Sequence, residues 1–144
     1  MLNFKKTNVI IFTLMIFTSS VVFAVMLQDD HSNVIGDWEI ELDAEGEYFY
    51  LSMTVEEEEG KLAGTISEAS GFFVDVPMTD IVYDGENFNF QFSAPTPPDG
   101  MERIVKGEFK VGTDQMEGLI IVDDLGLSAP AMACLLYTSD AADE

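Results

Sequence analysis

From Gly36 onward apolar and polar residues alternate with a period of two, the pattern of strands that bury one face. Trp38, Ile40 and Leu42 interleave with Asp37, Glu39, Glu41 and Asp43, and Phe49, Leu51, Met53 and Val55 form a second apolar set. Glu56-Glu57-Glu58-Glu59-Gly60 then turns the chain, and Leu62, Gly64 and Ile66 carry a third strand. Phe72, Val74, Val76 and Met78 predict a fourth, with Pro77 marking an edge or a bend. Asp84-Gly85 suits a tight hairpin because glycine tolerates positive φ. Phe88, Phe90 and Phe92 follow it on one face, with Asn87, Asn89 and Gln91 on the other.

Ala94-Pro95-Thr96-Pro97-Pro98-Asp99-Gly100 reads as a loop by composition. Beyond it Arg103, Val105, Gly107, Phe109 and Val111 share a face, Gly112-Thr113-Asp114 turns, and Met116, Gly118, Ile120 and Val122 continue. A last short run covers 125–133, and no stretch has helical periodicity. About eight short strands joined mostly by tight turns predict an all-β, antiparallel up-and-down barrel, because closure satisfies the strand edges a meander would expose.

Neither end of the chain follows this pattern. Lys5 and Lys6, the apolar run 9–17, Thr18-Ser19-Ser20 and Val22-Phe23-Ala24 have the layout of a secretory signal peptide over 1–24. The run is shorter than the roughly 20 apolar residues of a membrane span. Export to the periplasm or the extracellular space is expected, with no membrane attachment after cleavage. Residues 25–35 read as a polar linker and 36–133 as the domain. At the other end, Cys134-Leu135-Leu136-Tyr137-Thr138-Ser139-Asp140-Ala141-Ala142-Asp143-Glu144 resembles the translation of a transposase-type sequencing adapter in one reading frame. Residues 134–144 are therefore set apart as read-through, and a closing strand end is expected past Ala133.

Charge narrows the partners. Residues 25–133 hold 24 acidic residues against four basic ones, Lys61, Arg103, Lys106 and Lys110, a formal charge of −20. Such a field repels phosphate backbones and anionic membrane surfaces, which excludes nucleic acid as a partner. It serves solubility, including in a salty environment, or recognition of a cationic partner. The only cysteine is Cys134, so no disulfide frames the domain and its stability has to come from an apolar core.

Gly36-Asp37-Trp38 opens the first strand as the Gly-x-Trp signature opens lipocalins and related calycin barrels. The wider pattern is similar to small lipocalin-like domains of bacterial exported proteins. It adds Lys61-Leu62-Ala63-Gly64-Thr65-Ile66, Tyr83-Asp84-Gly85, the aromatic strand, Gly107-Glu108-Phe109 and Met116-Glu117-Gly118. The resemblance spans about 36–133 and implies an eight-stranded barrel with Trp38 near its closed end. Typical lipocalins set a basic residue from a late strand over that tryptophan; nothing after Lys110 is basic here. Ligands vary across such barrels, so the fold transfers no substrate.

Candidate chemistry is sparse. His31 is the only histidine and lies in the polar linker, where solvation is the expected state. There is no Gly-x-Ser-x-Gly elbow and no cysteine nucleophile, and zinc ligands are missing. Glu39, Glu41 and Asp43 on one strand face and Asp123-Asp124 in a turn lack the spacing of a calcium loop. Asp75 is expected on the exterior. No catalytic residue, metal or cofactor is assigned, and the protein is expected to be a non-enzymatic monomer. Its candidate binding surface is the barrel interior: Trp38, Phe49, Phe72, Phe88, Phe90, Phe92 and Phe109. Two functions fit: a barrel holding a small apolar or amphipathic ligand, or a structural or protein-interaction module with a filled core.

Overall fold

The computed structural model describes residues 30–137; the signal-like segment, the first part of the linker and 138–144 lie outside the described residues. Nine strands run in sequence: β1 (Gly36–Ala44), β2 (Glu47–Glu58), β3 (Lys61–Glu68), β4 (Val76–Pro77), β5 (Thr79–Tyr83), β6 (Asn87–Thr96), β7 (Met101–Val111), β8 (Gln115–Val122) and β9 (Leu127–Leu136). They form one antiparallel sheet in the order β4-β3-β2-β1-β9-β8-β7-β6-β5. First and last strands therefore meet, with Ile40 opposite Ala133 and Leu42 opposite Ala131. The result is the expected all-β, up-and-down barrel, nearly closed.

The remaining margin is bridged by one bent stretch, residues 76–83. Its first half pairs with β3 through Pro77 and Val76, opposite Thr65 and Ile66. Its second half pairs with β6, Tyr83 opposite Phe88 and Val82 opposite Asn89, after a shift of register. Asp80, at φ 49°, sits in that irregularity, where an extra residue bends a strand and re-aims it. Counting β4 and β5 as one bent strand gives the eight staves read from the periodicity.

Turns follow from local chemistry. Glu45-Gly46 and Glu59-Gly60 each have positive φ at both positions, the two-residue turn whose twist matches flanking strands. Asp84 Oδ1 accepts the amides of Glu86 and Asn87 at 2.9 and 2.6 Å and so builds the β5–β6 turn.

Inside, large and small side chains are complementary. Phe90 stacks on Phe109 with ring centroids 6.0 Å apart and planes 6° from parallel, flanked by Phe88 at 5.4 Å and Phe92 at 6.3 Å. Opposite Phe90 stands Gly107, where a Cβ would lie 2.3 Å from the ring, so only glycine admits this stack. β9 contributes Ala129, Ala131 and Ala133, all buried, leaving the interior to rings from other strands. Trp38 is 1% exposed at the base, and its indole Nε1 donates to the Val34 carbonyl at 2.9 Å.

That bond ties the last residues of the linker to the barrel. Val34 is fully buried, and the His31 carbonyl accepts the amides of Val34 and Ile35, so residues 31–35 fold as a turn against the base. His31 is not a solvated side chain: Nδ1 lies 3.0 Å from Glu57 Oε2 and only 11% of the side chain is exposed. A carboxylate at the end of β2 recruits it.

Two further expectations change. The fourth strand shrinks to Val76–Pro77, because 69–75 is an irregular excursion tied to β3 by the Glu68 amide donating to the Phe73 carbonyl. Phe72 and Val74 consequently turn outward, 48% and 64% exposed, and Phe73 packs inward at 5.6 Å from Phe92. Conversely, the expected loop 94–100 starts late, since β6 continues through Ala94, Pro95 and Thr96 against β7. β5 pairs with β6 only as far as Gln91, so Pro95 sits where a missing N–H breaks no ladder on that side. Asp75 is exposed, as expected.

Cys134, Leu135 and Leu136 occupy the last positions of β9, opposite Glu39, Trp38 and Asp37. The alternation therefore persists to Leu135 instead of stopping at Ala133.

Truncating the central ring tests this packing. Phe90→Ala is expected to cost about 3–5 kcal/mol in urea unfolding, the range for a buried aromatic. A loss below about 1 kcal/mol would contradict the inward face. Gly107→Ala is expected to destabilise strongly alone and much less in a Phe90→Leu background, a coupling that a double-mutant cycle reads directly.

Candidate functional site

Alternation places one residue in two inside the barrel, but the interior is not filled evenly. Trp38, Phe88, Phe90 and Phe109 pack the base and waist, each at most 2% exposed. Above Phe92 a cup of about 360 Å³ opens at the end formed by the β1–β2 turn, the 69–75 excursion, the 97–100 loop and the 3₁₀ turn Asp123–Leu125. Leu42, Leu51, Phe92, Val105 and Ile120 form its depth; Phe49, Phe73, Val122 and Leu127 form its wall. Glu47, Glu68, Ser70, Phe72, Pro97, Pro98 and Leu125 line its rim.

Among the seven interior candidates, the structure brings Phe49, Phe72 and Phe92 to this cup. Phe49 is half-buried in the wall, Phe72 stands at the rim and Phe92 is buried beneath it. Trp38, Phe88, Phe90 and Phe109 serve as packed core below.

Two rim carboxylates were not singled out from sequence. Glu68 continues the inward phase of Leu62, Gly64 and Ile66, and Glu47 precedes the inward phase of Phe49 and Leu51. Extending each strand by one alternation would have found them; their charge disguised inward positions as exterior ones. Glu68 Oε2 accepts the amides of Ser70 at 2.8 Å and Phe72 at 3.1 Å as well as the Ser70 hydroxyl. Burial pushes its carboxyl up, but the bonds from Ser70, Phe72 and Gly71 outweigh that and hold it below the ordinary carboxylate range.

A clamp braces the opposite rim. Arg103 occupies an inward position on β7 and grips Asp99 with two nitrogens, at 2.7 and 2.8 Å. The same guanidinium donates to Thr96 Oγ1 at 2.9 Å, and Thr96 is the buried polar residue among those described. These bonds from Arg103, with the Met101 amide, hold Asp99 far below the usual carboxylate range.

The other candidates lie elsewhere. Glu39 and Glu41 are exposed on the outer face of β1, where Glu41 pushes the Tyr50 phenol up. Asp43 accepts the Gly46 amide at 2.7 Å, and Asp123 pairs with Lys106 at 2.5 Å. No three His, Cys, Asp or Glu side chains gather as a metal site among the described residues. A broader hollow of about 750 Å³ at the base, beside Thr113, Asp114 and Gln115, includes Cys134 and Leu135 in its wall. It lacks the apolar lining of the cup.

The clamp generates a pH prediction. A carboxylate whose pKa is depressed on folding stabilises the native state above its unfolded pKa and loses that contribution as pH falls through the folded value. The Asp99 carboxyl carbon is therefore expected to titrate, by NMR, below the ordinary aspartate range, and Arg103→Met to bring its midpoint up into that range. An ordinary midpoint in the unmodified protein would contradict the clamp. Comparison with protein-family models, curated proteins and solved structures returned no match, so the lipocalin resemblance rests on the sequence motifs and a compatible barrel architecture.

Proposed function

We propose that this protein is an exported, non-enzymatic barrel that holds a small apolar or amphipathic molecule in the cup at its mouth. The carrying observation is the shape of the interior: a base and waist filled by rings, and an apolar recess of about 360 Å³ left open above Phe92. A recess of this size is within the range that binds small molecules. Apolar area removed from water there contributes roughly 25 cal/mol per Å², which favours occupancy by a hydrocarbon or aryl group. The Arg103–Asp99–Thr96 clamp and the Glu68-centred loop hold the rim open in a fixed shape, which lowers the ordering cost of binding.

A second reading, a structural or protein-interaction module, draws on the solid lower half of the barrel. The two separate on one comparison. Nile red, a neutral apolar dye, is expected to bind the unmodified protein at one site. Ala44→Trp, which places an indole into the cup wall, is expected to weaken that binding more than about tenfold while the protein still unfolds cooperatively. Native mass spectrometry of the purified protein is expected to show a co-purifying small molecule. Absence of both dye binding and a retained ligand would favour the interaction module.

A further inference from the structure

Solubility explains acidic residues on the outside of a barrel; it does not explain acidic residues in the inward phase. Glu47 and Glu68 hold inward positions on adjacent strands and both line the rim of the cup. Glu68 engages the Ser70 and Phe72 donors through one carboxylate oxygen, Oε2. Its carboxyl stays ionised despite the burial that opposes ionisation. Phe72, a large ring 48% exposed, stands on the same rim.

Among the described residues no basic side chain lines the cup to offset these charges. Arg103 is spent on Asp99 and Thr96, Lys106 on Asp123 and Lys110 on Glu86 at 3.2 Å. Lys61 starts β3, at the base end of the barrel. A ligand with an anionic head would meet two carboxylates and a domain charge of −20 without a compensating cation. A cationic head would meet the rim carboxylates and an aromatic ring, groups that attract ammonium.

We propose that the cup selects cationic amphiphiles: its apolar depth takes an alkyl or aryl chain, and the carboxylates of Glu47 and Glu68, with the ring of Phe72, make its rim attract an ammonium. This deepens the ligand-binding reading and rests on it. Hydrocarbon burial supplies affinity, and the rim supplies the choice of head group.

Displacement of bound Nile red by three probes of equal chain length tests it. Octyltrimethylammonium, below micelle formation, is expected to compete about tenfold better than octanol, with octanoate weakest. Raising the salt from about 0.05 to 0.5 M is expected to narrow that preference, since screening shortens from roughly 14 to 4 Å. Glu47→Gln is expected to reduce the preference for the cation over octanol severalfold. Glu68→Gln should do the same, but it also disturbs the 69–75 excursion, so Glu47 is the cleaner variant. Ala44→Trp keeps the surface charge and is expected to abolish competition by the cation. Octanol or octanoate competing as well as the cation would overturn the selectivity and leave the cup reading intact. Cation binding that survives Ala44→Trp would assign it to the acidic exterior and overturn the proposal. Failure of all three probes to displace the dye would instead overturn the cup reading itself.

Discussion

A sheet whose alternate side chains are apolar has one whole face to remove from water, and here it does so by curling until β1 meets β9. That pairing removes two open edges at once and encloses the face around a shared interior. The bent stretch 76–83 does the same for the opposite margin, one half on β3 and the other on β6. Without a disulfide, closure and the burial it creates hold the domain together against a net charge that repels itself. The ion pairs on β7 are exposed or at the rim, where such pairs contribute little to stability.

Closure also decides where space remains. An eight-stave barrel has an interior just wide enough for side chains to fill. The rings of Trp38, Phe88, Phe90 and Phe109 fill it at the base, helped by Gly107 and the alanines of β9. Toward the mouth the inward positions carry Ala44, Glu47, Glu68 and Thr96, too small or too polar to meet across the lumen. The cup is the consequence of that change in side-chain size along the axis.

Most of the architecture was legible because period-two alternation is a local property. The inward sets Trp38–Ile40–Leu42, Phe88–Phe90–Phe92 and Val105–Gly107–Phe109 could be read directly, and their phase is the one observed. Failures occurred where phase is set by something distant. Phe73 replaces Phe72 inside because the 69–75 excursion is shaped by Glu68, not by strand geometry. His31 is held by Glu57, 26 residues away, and Val34 by the indole of Trp38. The Ala94-Pro95-Thr96 strand end was hidden by loop-like composition, tolerated because its far edge is unpaired. The cup itself was half legible: its apolar lining followed from alternation, while Glu47 and Glu68 were masked by the rule that charge faces out.

Everything attributed to the interior depends on β1 and β9 being hydrogen-bonded neighbours. Amide and α-proton NOEs between Ile40 and Ala133, Glu41 and Met132, and Leu42 and Ala131 measure that pairing directly. A closed barrel gives a continuous antiparallel ladder of such NOEs alongside those of every hairpin. Hairpin NOEs without any between β1 and β9 would show an open sheet, with no enclosed interior and no cup.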